Sequence, residues 1–192
     1  MDNTARLSDH DGHSDCALRS RGDHCRFCGV RHLSICQALD ADELTQLEKI
    51  ASDSVFDERA VLFHEEDEAS SVFNLTAGVA RLIRSLPDGR RQVTGFALPG
   101  DFLGLSLEKT WRFSAEAVTP VVACRFRRSV FEAFADKNPQ LIKKMHEFAS
   151  HELNMAQDHM VLLGRLTAEE KLASFLVEMK KRWSRVAGHE PG

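Results

Sequence analysis

The sequence contains no long apolar run; its longest apolar stretches are a few residues, and residues 1–24 are polar and rich in His and Asp. A membrane-spanning helix needs about 20 mainly apolar residues and a signal peptide needs an apolar core, so neither is expected and the protein is expected in the cytoplasm. There is no excess of positive charge. Lys plus Arg number 25 against 29 Asp plus Glu, a net charge of -4, which removes whole-chain basicity as an argument for nucleic-acid binding and leaves only local patches. Nor does the sequence offer paired carboxylates, a nucleophile beside a base, or a phosphate-cradling glycine loop, so an enzyme is not expected. What remains is 192 residues, 43% hydrophobic and 28% charged, a composition suited to one folded core with an appendage.

Cysteine is where the composition is informative. The five are Cys16, Cys25, Cys28, Cys36 and Cys124, and three of them crowd the segment HCRFCGVRHLSIC at residues 24–36. A reducing cytosol keeps thiols free, and an odd count argues further against a disulfide framework, so metal or redox chemistry is the expectation. Cys25 and Cys28, with two residues between them, can aim two thiolates at one site across a tight turn, and Cys36 can add a third. Zinc would close a tetrahedral site with a nearby fourth ligand, His24 or His32. An iron–sulfur cluster prefers four thiolates and can take the last from a distant strand. Cys124, in TPVVACRF, is the candidate for that role, against the plainer reading of a small buried hydrophobe. Cys16 is the spare. Arg26, Arg31, His32 and Arg125 lie close in sequence to the thiols and could offset the charge of a four-thiolate cubane, about -2, or could equally be solvated surface.

The chain divides into a mobile arm (1–24), the cysteine segment (25–37), a helix plus strands (38–137), a long helix (138–165) and a last helix (166–192). Asp40 with Glu43 three residues later signals a helix start, and Thr167 with Glu170 repeats the signal. Residues 54–127 alternate short apolar runs with Gly78, PDG (87–89), PGD (99–101) and Gly104, the pattern of an antiparallel β-roll or jelly roll, so the fold class is mixed α+β. VARLIRSLPDGRRQVTGF is the clearest hairpin, with Gly89 free to take positive φ. Pro139 opens a helix that runs without a breaker to Gly164. One stripe of it holds Leu141, Met145, Phe148, Met155 and Leu162. The other, Ile142, His146, Ala149, Leu153, Ala156, Met160 and Leu163, is spaced as a heptad with His146 at an "a" position, so one face can cover the roll while the other meets a twin.

This order of parts, with LPGDFLGL, the text from Val93 to Gly104, and QDHMVLLGRLTAEEKLASFL, resembles the Crp/Fnr superfamily, specifically the Fnr-type oxygen sensors, from residue 25 to about residue 186. The resemblance implies a 4Fe–4S cluster held by Cys25, Cys28, Cys36 and Cys124. Without oxygen the cluster would favour a homodimer through the long helix, and oxygen would loosen it. It also implies a helix-turn-helix domain, which this sequence does not contain. The chain is therefore expected to be the sensory and dimerisation part of a transcription regulator, with DNA and RNA polymerase as partners of the intact regulator only and no membrane partner. By the same analogy the hairpin at Arg84, Pro87, Asp88 and Gly89 is a possible polymerase contact. Two other readings stand beside this one. The first is a cyclic-nucleotide sensor of the same fold, weakened because the carboxylate near the turn is Asp101 and the basic and hydroxyl groups are split as Arg112-Phe113-Ser114. The second is a zinc-stabilised protein-interaction module.

Overall fold

The computed structural model describes residues 25–106, 108–165 and 167–188, with Leu163 and Arg165 described by their backbone alone. The arm, Cys16 and His24 lie outside the described residues. The cysteine segment folds as two 3₁₀ turns, Arg31–Leu33 and Ile35–Ala38, and leads into α1 (Ala41–Ile50). The Asp40 carboxylate accepts from the amides of Asp42 and Glu43 at 2.9 and 2.8 Å, and the Glu43 carboxylate accepts from the Asp40 amide, the reciprocal cap that the sequence predicts.

Eight strands follow: β1 (Ala51–Phe56), β2 (Val61–Phe63), β3 (Ser71–Ala77), β4 (Ala80–Ser85), β5 (Arg91–Ala97), β6 (Phe102–Leu103), β7 (Ser114–Ala117) and β8 (Val121–Arg127). They form two four-stranded sheets, ordered β1-β8-β3-β6 and β2-β7-β4-β5, with every pairing antiparallel. The fold class is the expected one.

Successive side chains on a strand point to opposite faces, and the first sheet uses this to serve two cores. Phe73, Leu75, Leu103, Val121 and Ala123 face the interior of the roll, where Phe63 and Trp111 stack with ring centroids 3.6 Å apart. Val72, Phe102, Cys124 and Phe126 face outward onto the helices and the cysteine segment. In this outer core Phe131 of α2 (Arg128–Ala135) meets Phe102 and Phe126 at centroid distances of 5.2 and 5.4 Å.

α3 (Pro139–Arg165) has two unlike faces. Leu141 is buried in the outer core and Met145 and Phe148 pack against it, whereas Ile142, His146, Ala149, Leu153, Ala156 and Met160 are all exposed, Met160 at 64%. α4 (Ala168–Val186) starts at the Thr167–Glu170 capping box and returns to the roll, touching it through Phe175 on Phe96 and through Arg182 on Asp101.

Candidate metal centre

The cysteine segment is held by local bonds that its sequence explains. Ser34, fully buried, caps the second 3₁₀ turn by accepting from the Cys36 amide at 3.2 Å, and the Arg31 guanidinium donates to the Leu39 carbonyl at 2.8 Å. Turn bonds from the amides of Arg31 and Leu33 to the carbonyls of Cys28 and Val30, at 3.2 and 3.0 Å, close the stretch between the thiols. The loop before β6 braces this segment from outside. Gly100 sits at φ +97° so close to Leu33 that a side-chain carbon there would stand 2.6 Å from Leu33 Cβ.

Cys25 (8% exposed) and Cys124 (7%) belong to the same outer core, with Cys36 packed against it and Cys28 half-buried three residues from Cys25. Two stretches far apart in the sequence thus deliver thiols to one apolar neighbourhood. Burial pushes the Cys36 thiol above its ordinary pKa, against the opposing pull of the Ser34 hydrogen bond and the Arg31 charge, so a metal there must displace a proton. Among the described residues no group of three or more His, Cys, Asp or Glu side chains is placed to hold a metal ion. A single zinc with Zn–S bonds of about 2.3 Å needs its sulfurs about 3.8 Å apart. A four-iron cubane carries its ligands at its corners, further apart. Soft thiolates in an apolar setting are a donor set that would suit such a cluster, and His32 lines a cavity together with Asp101 and Arg182.

The basic neighbours divide. Arg31 acts on Cys36 electrostatically. Arg125 does not serve Cys124: the strand turns it to the opposite face, where it donates to Ser71 Oγ at 3.0 Å and lies over the Phe73 ring. Sequence reasoning also missed Asn74. It pairs directly with Cys124 across β3 and β8, is 2% exposed, and its Oδ1 has no hydrogen-bond partner among the described residues. An amide inside the otherwise apolar run SVFNL is the signal that could have found it.

The groups expected of a nucleotide site are engaged elsewhere. Asp101 accepts from Arg182 at 2.5 Å and from the Leu98 amide at 2.8 Å, Arg112 faces Glu108 at 3.5 Å, and Ser114 Oγ accepts from the Glu65 amide at 2.9 Å. Asp101 borders a cavity of about 310 Å³ shared with His32, Phe148, Glu152 and Arg182. Burial raises the pKa of both carboxyls, opposed at Asp101 by Arg182 and reinforced at Glu152 by Asp101 itself. In the β4–β5 hairpin Gly89 has φ +82°, the Leu86 amide donates to Arg90 O at 2.8 Å, and the tip from Pro87 to Arg90 is exposed. Arg84 is tied back to Glu65 at 2.6 Å.

The architecture is a two-sheet antiparallel roll followed by a long helix with one buried and one exposed face. Residues 54–138 match the cyclic nucleotide-binding domain family. The chain is 44% identical over 165 residues to the nitrogen fixation regulation protein FixK of Bradyrhizobium diazoefficiens, covering 86% of this chain and 70% of that one. It is 45% identical over 161 residues to the transcriptional activatory protein AadR of Rhodopseudomonas palustris, covering 84% and 67%. The crystal structure of FixK2 from Bradyrhizobium japonicum superposes with a TM-score of 0.65 at 36% identity, over 69% of this chain and 67% of that one. The chain belongs to the Crp/Fnr family of transcription regulators.

Proposed function

We propose that this chain is the sensory and dimer-forming part of an oxygen-responsive transcription regulator, in which Cys25, Cys28, Cys36 and Cys124 hold a 4Fe–4S cluster. The regulatory role is supported by the likeness to FixK and AadR, and the cluster by the thiols alone. The observation that carries it is that Cys25 and Cys124, far apart in sequence, are buried in one core with Cys36 against them. Bound there, the cluster would supply an oxygen-labile link between the cysteine segment and β8.

The chain's own residues then turn occupancy into dimerisation. The core that takes the thiols also takes Leu141, Met145 and Phe148 of α3, so the position of the cysteine segment sets how α3 lies on the roll. That in turn sets how Ile142, His146, Ala149, Leu153, Ala156, Met160 and the Leu163 position meet a second copy. The role is regulatory and not catalytic, exercised in the cytoplasm, with DNA and polymerase contacts belonging to the intact dimer; the exposed hairpin tip from Pro87 to Arg90 is the candidate polymerase contact.

The test is protein purified without oxygen. Brown protein with about four irons and four sulfides per chain, dimeric by sedimentation and turning colourless and monomeric in air, is the expected result. Colourless protein holding zinc, or no metal, overturns the cluster reading.

A further inference from the structure

We infer that Asn74 is a positioning and tuning residue for the proposed cluster, donating an amide hydrogen bond to the sulfur of Cys124 when that sulfur is a bound thiolate. The inference rests on the cluster reading above.

Register places the two residues together. Asn74 on β3 lies directly opposite Cys124 on β8 and opposite Phe102 on β6, and strand alternation turns its side chain outward with Val72, Cys124 and Phe126. Directly opposed residues of an antiparallel pair have Cβ atoms about 4.5–5.5 Å apart, within reach of a carboxamide. The surroundings are apolar, and Asn74 Oδ1 is buried with no hydrogen-bond partner among the described residues. Such a group is costly to keep unless another state of the protein uses it.

A thiolate in that place supplies the use. It carries negative charge among Val72, Phe102 and Phe126, and Arg125 is turned away to Ser71. Rotation of the carboxamide about its last bond can turn Nδ2, and with it an N–H, toward a sulfur on the directly opposed residue. Hydrogen bonds to cluster sulfurs stabilise the more negative charge state and hold the ligand in orientation. Leucine has a similar volume and no donor, and aspartate has the same shape with only acceptors.

The test compares the wild-type chain with Asn74→Leu and Asn74→Asp, each loaded with iron and sulfide under anaerobic conditions. Asn74→Leu should pass its iron to a chelator roughly 10- to 100-fold faster than wild type and show a lower cluster reduction potential, and Asn74→Asp should be at least as impaired. The iron-free Asn74→Leu protein should melt at a higher temperature than iron-free wild type, because the unpaired amide is gone. A purely structural role would move stability and iron retention in the same direction, and so would refute the inference. Wild type that retains iron while both variants match it in iron loss and potential also refutes it and leaves the cluster reading standing. Wild type that takes up no iron defeats both.

Discussion

Replacing Gly100 with alanine should damage the fold, and with it the proposed metal centre, by a calculable amount. At φ +97° an L-residue is strained by about 1–2 kcal/mol. The new methyl would stand 2.6 Å from Leu33 Cβ and 3.4 Å from the Leu33 carbonyl carbon and oxygen, so it meets the stem of a side chain and its backbone, not a flexible end. The loop has little room to retreat, because the Gly100 amide donates to Leu75 O at 2.8 Å and the Leu75 amide donates to Asp101 O at 3.0 Å. Overpacking of this kind costs about 1–3 kcal/mol, which brings the total to about 2–5 kcal/mol. With a urea m-value of roughly 2 kcal/mol/M, the unfolding midpoint of the iron-free protein should fall by about 1–2.5 M. Gly29→Ala is the matched control in the cysteine loop, since among the described residues nothing beyond its chain neighbours lies within 4 Å of its new methyl and its φ is not positive. Leu33 lies between Cys28 and Cys36, so Gly100→Ala should also lower the iron bound after anaerobic loading. A midpoint within a few tenths of a molar of wild type would show that the contact between this loop and the cysteine segment does not constrain either one.

Cys124→Ser should abolish iron and sulfide uptake while Cys16→Ser leaves it intact, measured by iron and sulfide analysis of anaerobic protein; the reverse pattern would dismiss the ligand set. Leu153→Glu, at a position 58% exposed in the single chain, should leave the melting temperature unchanged and remove the anaerobic dimer in sedimentation, and His146→Leu should tighten that dimer by replacing a polar group with apolar surface at the seam. Glu116 accepts from Arg91 at 2.6 Å and from Arg81, and these bonds hold its carboxyl below the ordinary range. Its contribution is therefore complete above the ordinary carboxylate pKa and lost as pH falls through the depressed one, so the unfolding free energies of wild type and Glu116→Gln from urea titration should converge in acid and differ by about 1 kcal/mol at most at neutral pH, where both guanidiniums reach solvent.

Local signals were the legible ones. Asp40 with Glu43, Thr167 with Glu170, Pro139 at a helix start and Gly89 in its turn each report a conformation decided within four residues, and each stands in the structure. The two stripes of α3 were readable for the same reason, since helical period alone sorts Leu141 from Ile142. What required the fold was every partnership across distance: β8 between β1 and β3, Asn74 opposite Cys124, Gly100 against Leu33, Arg182 on Asp101. Arg125 shows the limit most directly. Nearness along the chain suggested a counter-charge for Cys124, but adjacent residues on a strand occupy opposite faces, so nearness of one residue is the arrangement that separates them.

The partition of β3, β6 and β8 between an aromatic interior and a helix-covered exterior has a consequence for how such a domain can change over generations. Substitutions at Phe73, Leu75, Val121 and Ala123 are felt by Phe63 and Trp111, and those at Val72, Cys124 and Phe126 by α2, α3 and the cysteine segment. A lineage can therefore fill or empty the hollow of the roll, gaining or losing one class of small molecule, while the outer surface acquires, alters or discards a metal on a separate timetable. A single sheet with two faces lets one inherited scaffold be retuned twice, without either set of mutations having to wait for the other.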